Sequence, residues 1–162
     1  MAISAEQVQS LRTKTGASMM DCKRALEEAQ GDEVKALEVL KKRGALIAEK
    51  KGARSTGAGI IDSYIHPNKK IGVLLELRCE TDFVAQNSDF LNLSHEITMH
   101  IAAMRPKYLK PEDVPQEEPE EICLISQPFI KNPDQTIKEL VAEYIAKIGE
   151  NIEVERFSRF EL

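Results

Sequence analysis

Residues 60–79 read IIDSYIHPNKKIGVLLELRC, and the fold turns on how this stretch is parsed. Two runs, 60–66 and 70–79, are rich in β-branched and apolar residues and are separated by Pro67-Asn68-Lys69, a turn signal, so the stretch predicts an antiparallel hairpin. Successive side chains on a strand point to opposite faces, which puts Ile71, Val73, Leu75, Leu77 and Cys79 on one face of the second run. Gly72, Glu76, Arg78 and Glu80 lie on the other. One face is expected to be buried and the other largely wet.

The chain then reads RCETDFVAQNSDF over residues 78–90, which sets Phe83 at a corner between the strand and a following helix, just after Glu80 and Asp82. A large apolar side chain at such a corner either plugs its own core or enters another protein. Position alone favours the core, because burial is the commoner fate of phenylalanine. Ser88 is expected to cap a helix whose stripe is Phe90, Ile97, Ile101 and Met104, with Leu93 beside it, until Pro106 ends it. Residues 111–121, PEDVPQEEPEE, carry a proline every fourth residue and six acids, a spacing no ordinary helix survives, so a loop or extended edge is expected.

Thr136 with Glu139 forms a capping box, followed by Ile137, Leu140, Val141, Tyr144, Ile145 and Ile148 on one side of a helix that Gly149 ends. This helix is expected to pack on the sheet. Residues 151–162, NIEVERFSRFEL, alternate at Ile152 and Val154 and then place Phe157 on the opposite parity from Phe160 and Leu162, which predicts a bulge or a strand covered on both sides. Residues 60–162 are therefore expected to form a small α+β core of about three antiparallel strands packed with helices.

Upstream, residues 1–44 carry three short helices with their punctuation. Ser4 with Gln7 reads as a capping box before Val8 and Leu11, and Thr15-Gly16 stops the first helix. Ser18 with Asp21 repeats the box before Cys22, Ala25, Leu26 and Ala29, and Gly31 closes the second. Asp32 caps a third with Leu37 and Leu40 inside, expected to end at Arg43-Gly44. Residues 45–59 then read as a basic, glycine-bearing linker, partly helical at most. From Lys41 to Arg54 there are six basic residues and one acid, yet no aromatic for base stacking, so a solvated or partner-facing stretch is expected rather than a direct nucleic-acid contact.

Composition bounds the function classes. The 162 residues are 42% apolar and 30% charged with a net charge of -5, which is globular and gives no global attraction to nucleic acid or anionic lipid. The N-terminal residues have no apolar core behind a basic tip, and no run approaches a membrane span, so a cytoplasmic chain with no membrane contact is expected. Cys22, Cys79 and Cys123 are far apart and odd in number, which predicts buried free thiols.

No catalytic constellation assembles. His95 and His100 are five apart, about 140° around a helix, so they cannot share one metal from it. Gly57 and Gly59 lack the lysine and hydroxyl of a phosphate loop, and Glu80, Asp82 and Asp89 have no second constellation to complete a mechanism. No enzyme, cofactor or metal is expected. Cys79, beside Glu80, is a poor nucleophile, and an interaction protein is the better reading.

Four segments then align with a known pattern: GASMMDCKRALEEAQGD, YIHPNKKIGVLLELRCETDFVAQNSDF with the following MHIAAM, QPFIKN, and RFSRFEL. In this order the chain resembles the elongation factor Ts family from residue 1 to the end, with CETDFVA the most specific string. The resemblance implies a three-helix module similar to ubiquitin-associated domains, a linker and an α+β core. It implies a guanine-nucleotide exchange factor that acts on elongation factor Tu, in its GDP-bound and nucleotide-free states, and promotes GDP release. Carried onto this chain, the exchange motif falls on Thr81, Asp82 and Phe83, with Phe83 the side chain that enters the partner. Met19, Met20 and Lys23 match the family's N-terminal contact. At Phe83 the resemblance reverses the reading from position alone.

Asp82 either holds the corner or meets a partner cation, and of the adjacent Met19 and Met20 both cannot face one small core, since neighbours on a helix point apart. The chain departs from the family pattern between the Pro/acid loop and Gln127, where only a short segment stands in place of a longer helical one. Arg78 and Gln86 also replace expected flanking residues. Short members of the family tend to pair, so a homodimer through the wet strand face and the final strand stands beside a monomer. The competing reading is a non-enzymatic adaptor that binds a ubiquitin-like or other protein through residues 1–44.

Overall fold

Local signals build the N-terminal helices as expected. The computed structural model describes residues 3–119 and 122–162. Helix α1 (Ala5–Thr15) starts with the Ser4–Gln7 capping box and buries Val8 and Leu11. Helix α2 (Met19–Glu28) starts where the Ser18 hydroxyl accepts the Asp21 N–H, and buries Cys22, Ala25 and Leu26. These meet Ala36 of α3 (Glu33–Lys51) in a small core of their own, capped by Ile3, Leu37, Val39 and Leu40. Asp32 caps α3 by accepting the N–H groups of Val34 and Lys35.

Helix α3 does not end at Arg43-Gly44 as expected but runs on to Lys51, through the first part of the stretch read as a linker. Gly44 is buried at the crossing of α3 with the last helix, where a β-carbon would sit 3.9 Å from both the Ala142 carbonyl oxygen and the Ala146 β-carbon. A glycine in mid-helix costs roughly 1 kcal/mol relative to alanine, and at 3.9 Å a β-carbon here would make only ordinary contact with α6, so the packing of α3 against α6 and not the glycine carries the helix through this point. The same contact is invisible to a local reading, which sees only a cation followed by glycine. At the far end Lys51 Nζ donates to the Gly149 carbonyl at 2.6 Å, fastening the tip of α3 to the core.

The hairpin forms as β1 (Ala58–Ile65) and β2 (Ile71–Cys79), antiparallel, with Tyr64 opposite Val73. After a one-turn helix α4 (Asp82–Ala85) and α5 (Ser88–Met104), a two-stranded ribbon β3 (Pro128–Phe129) and β4 (Asn132–Thr136) follows, which the sequence pattern did not announce. Helix α6 (Ile137–Ile148) and strand β5 (Ile152–Glu161) complete the chain. The sheet order is β1-β2-β5 with every pair antiparallel. Val73, Leu75, Leu77 and Cys79 face inward onto α5, which contributes Phe90, Leu93, Ile97 and Ile101 to the core. Asp62 accepts the Ser94 hydroxyl at 2.8 Å, a polar clasp between β1 and α5. The register of β2 against β5 shifts between Glu76 and Leu77, which is the bulge expected from the parity of the C-terminal phenylalanines.

Three details differ from expectation. Asn87, not Ser88, caps α5, its side chain accepting the Asp89 N–H. Met104, the last residue of α5 before Arg105 ends the helix in the left-handed conformation, is exposed and not buried with the rest of the stripe. Helix α6 lies chiefly against α3 and α5, reaching the sheet mainly at β5, so α5 alone covers most of β1 and β2. Residues 111–119 form a short 3-10 turn and loop without strand structure, and the remainder of the expected Pro/acid loop, residues 120 and 121, lies outside the described residues, as do residues 1 and 2 of the expected first module. All three cysteines are buried and free.

The outer sheet face is less wet than its alternation implied. Ile61, Ile65, Leu74 and Phe160 are all exposed there, with Ile65 and Phe160 both opposite Gly72. The doublets Ile60-Ile61 and Leu74-Leu75 were the signal: where two apolar residues adjoin on a strand, one must face out.

His100 is fully buried on α5. The Ile130 N–H donates to its Nδ1 at 3.2 Å, so Nε2 carries the proton and donates to Gln127 Oε1 at 3.0 Å. Burial pushes its pKa below the ordinary value, only partly opposed by the Gln127 contact. The unfolded chain takes up this proton at about pH 6.5 and the folded chain only at lower pH, so stability is full above that pH and falls as the solution is acidified through it. We expect the melting temperature to drop between about pH 7 and the folded-state pKa, and the His100→Asn variant, whose amide oxygen still accepts from Ile130, to show a shallower drop. Equal slopes for the two proteins would refute the assignment.

Candidate functional site

The corner after β2 is built so that its apolar residues divide between two sides. Thr81 caps α4, accepting the Val84 N–H on its hydroxyl, and Val84 and Ala85 each turn inward with 5% exposure. Phe83, between Asp82 and these two, has nowhere inward to go and stands 83% exposed. The Cys79 thiol closes the inner side of the corner, donating to the Thr81 carbonyl at 3.2 Å. Burial first, and then the nearby Glu150 carboxylate, pushes that thiol up to about 11, so Cys79 is a structural group and not a nucleophile.

The corner is clamped from the far end of the chain. Glu150, just past α6, accepts the N–H groups of Glu80 and Thr81 at 3.1 Å each and the Thr81 hydroxyl at 2.7 Å. Glu80 answers by accepting the Asn151 N–H at 2.7 Å, while the Asn151 amide donates to the Arg54 carbonyl at 3.0 Å. Asp82 is exposed and forms no hydrogen bond or ion pair among the described residues, so the clamp works through Glu80, Thr81 and Glu150.

The second group of expected residues lies on α2. Met19 and Met20 are both exposed, at 40% and 57%, which resolves the pair in favour of surface for each. Lys23 is exposed on the same helix, 3.8 Å from Glu27. The loop before Met19 rests on the core: a β-carbon at Gly16, whose φ is +68, would lie 3.2 Å from Lys147 Cε. Lys147 in turn pairs with Asp89 at the start of α5, 2.9 Å away. One lysine thus links the loop that leads into α2 with the helix that follows the Phe83 corner. Neither Lys147 nor Glu150 stood out in the sequence, since each acts across the fold and sits where the local pattern shows only a helix end.

His95 is exposed and His100 buried, so the two histidines of α5 point to different environments. Among the described residues no three His, Cys, Asp or Glu side chains converge as a metal site would require. Among the same residues, no helix is long and apolar enough to cross a membrane.

Fold and site together define an α+β chain whose distinctive surface is a projecting ring on a clamped corner, beside a helical module with exposed methionines. The model of the family described as elongation factor TS matches residues 5–120. Over 99% of its length the chain is 46% identical to elongation factor Ts of Carboxydothermus hydrogenoformans, covering 89% of that protein. It is 48% identical to elongation factor Ts of Thermosipho melanesiensis, with 98% of this chain and 97% of the relative covered. With elongation factor Ts of Thermodesulfovibrio yellowstonii it shares 46% identity, with 100% and 97% covered. The chain belongs to the elongation factor Ts family, and its role is that of a translation elongation factor. The match with the first relative extends over 193 aligned positions against 162 residues here, so that relative carries residues with no counterpart in this chain.

Proposed function

We propose that this chain binds elongation factor Tu and promotes release of its GDP, with Thr81, Asp82 and Phe83 as the principal contact and Met19, Met20 and Lys23 as a second. The observation that carries the reading is the 83% exposure of Phe83 on a corner whose neighbours are locked. Burying such a ring in a partner is worth about 1.5–3 kcal/mol, and a preformed corner spends little of that on ordering. A factor that binds the nucleotide-free partner more tightly than the loaded one weakens nucleotide binding by the same ratio. No bond is made or broken, so the reading needs no catalytic group, cofactor or metal. It places the chain in the cytoplasm. The test is release of labelled GDP from elongation factor Tu with and without this protein: acceleration supports the reading, and an unchanged rate rejects it.

We further propose that a second copy of the chain covers the outer sheet face. Ile61, Ile65, Leu74 and Phe160 give that face an apolar area. Along it, Glu76 pairs with Arg156 at 2.6 Å and Arg78 at 2.7 Å, which hold its carboxyl below the usual range. An isologous contact brings one patch against its own copy, and a face with apolar residues and both charge signs suits that symmetry. Light scattering is expected to give the dimer mass for the native chain and the monomer mass for Leu74→Glu. A native monomer at tens of micromolar sinks this part and leaves the exchange reading untouched.

A further inference from the structure

The Phe83 ring stands 83% exposed, so its direction is inherited mainly from the backbone beneath. Two supports hold that backbone. On the C-terminal side Val84 and Ala85 are buried in the core. On the N-terminal side the chain leaves the β2 ladder after Cys79, and the next two N–H groups, those of Glu80 and Thr81, both turn to one oxygen of Glu150 at 3.1 Å. The other oxygen takes the Thr81 hydroxyl proton at 2.7 Å. That last bond orients the hydroxyl, because a group that donates to Glu150 is left with its lone pairs free to cap α4 through the Val84 N–H, 3.3 Å away. One carboxylate therefore fixes the exit from the strand and, through Thr81, the entry to the helix that carries Phe83.

We propose that Glu150 is a positioning residue for nucleotide exchange: it sets the angle at which Phe83 is presented. Glu80 completes the clasp by holding the Asn151 N–H at 2.7 Å, so each arm of the corner carries a carboxylate that receives the backbone of the other. Three donors on one carboxylate hold it more firmly than a single surface ion pair, since charge-assisted bonds to fixed backbone groups are short and directional. The inference rests on the exchange reading of Phe83 and adds to it a residue distant in sequence that acts through the backbone of the corner.

The experiment compares GDP release from elongation factor Tu by the native chain, Phe83→Ala, Glu150→Ala, Glu150→Gln and the double variant Phe83→Ala/Glu150→Ala, at a temperature where circular dichroism shows each folded. A misplaced contact costs on the order of ten- to a hundred-fold in rate, and that loss is expected for Glu150→Ala. Glu150→Gln should keep most of the native rate, because the amide oxygen still accepts both N–H groups. In the Phe83→Ala background, removing Glu150 should change the rate less than about two-fold, since a mount without its ring has nothing to aim. Native exchange by Glu150→Ala beside a defective Phe83→Ala overturns the positioning role. So does a Glu150→Ala defect that multiplies in full with that of Phe83→Ala. If Phe83→Ala itself exchanges normally, the reading of Phe83 as the principal contact is what fails.

Discussion

Phe83→Ala is expected to abolish most of the exchange activity while leaving the melting temperature within a degree or two of native. The two halves of this expectation have separate causes. Truncating a central aromatic contact costs about 2–4 kcal/mol in a protein interface, a loss of roughly 30- to 1000-fold. The fold loses almost nothing, because a side chain 83% exposed buries little surface, and substitutions outside the core usually stay within about 0.5 kcal/mol. Stopped-flow release of labelled GDP and a thermal melt on the same preparation check both halves. A fall in exchange matched by a fall in stability would mean that the ring supports its own fold and not a partner.

Phe90→Ala is expected to do the reverse. Phe90 is fully buried at the start of α5, packed among Leu75, Leu77, Leu93 and Ile97. Removing a core phenylalanine costs about 3–5 kcal/mol, from lost burial and from the cavity left behind. For a domain of this size that lowers the melting temperature by about 10 °C or more, out of a total stability of about 5–15 kcal/mol. Exchange should stay near native well below the new melting point and collapse as it is approached, because α5 follows directly from the corner. Calorimetry and exchange measured across temperature separate the cases. A Phe90 variant with native stability and lost exchange would place this residue, too, at the contact.

The contrast between these phenylalanines shows what local pattern carries. Phe90 was legible because it opens a helical stripe with Leu93, Ile97 and Ile101, and that periodicity specifies an inward face. Phe83 has no such stripe: it sits on a single turn, where neither period applies, and its outward direction follows from Val84 and Ala85 taking the inward positions. The resemblance to the elongation factor Ts family, and not the spacing of apolar residues, marked it as a contact.

Capping, turns and alternation are short-range effects, so the helices at 5–15 and 19–28, the β1–β2 hairpin, the capped α6 and the bulge in β5 follow from neighbouring residues alone. Contacts between distant segments have no local signature. That α3 continues through Gly44 follows from its packing against α6, a contact between segments far apart in the chain. Long-range contacts likewise set the outer sheet face apolar at four positions and bring Glu150 and Lys147 to steady the surface around Phe83 and α2. A residue's propensity depends on its neighbours in the chain, whereas its partners depend on which surfaces folding brings together, and the second is not written in any single stretch.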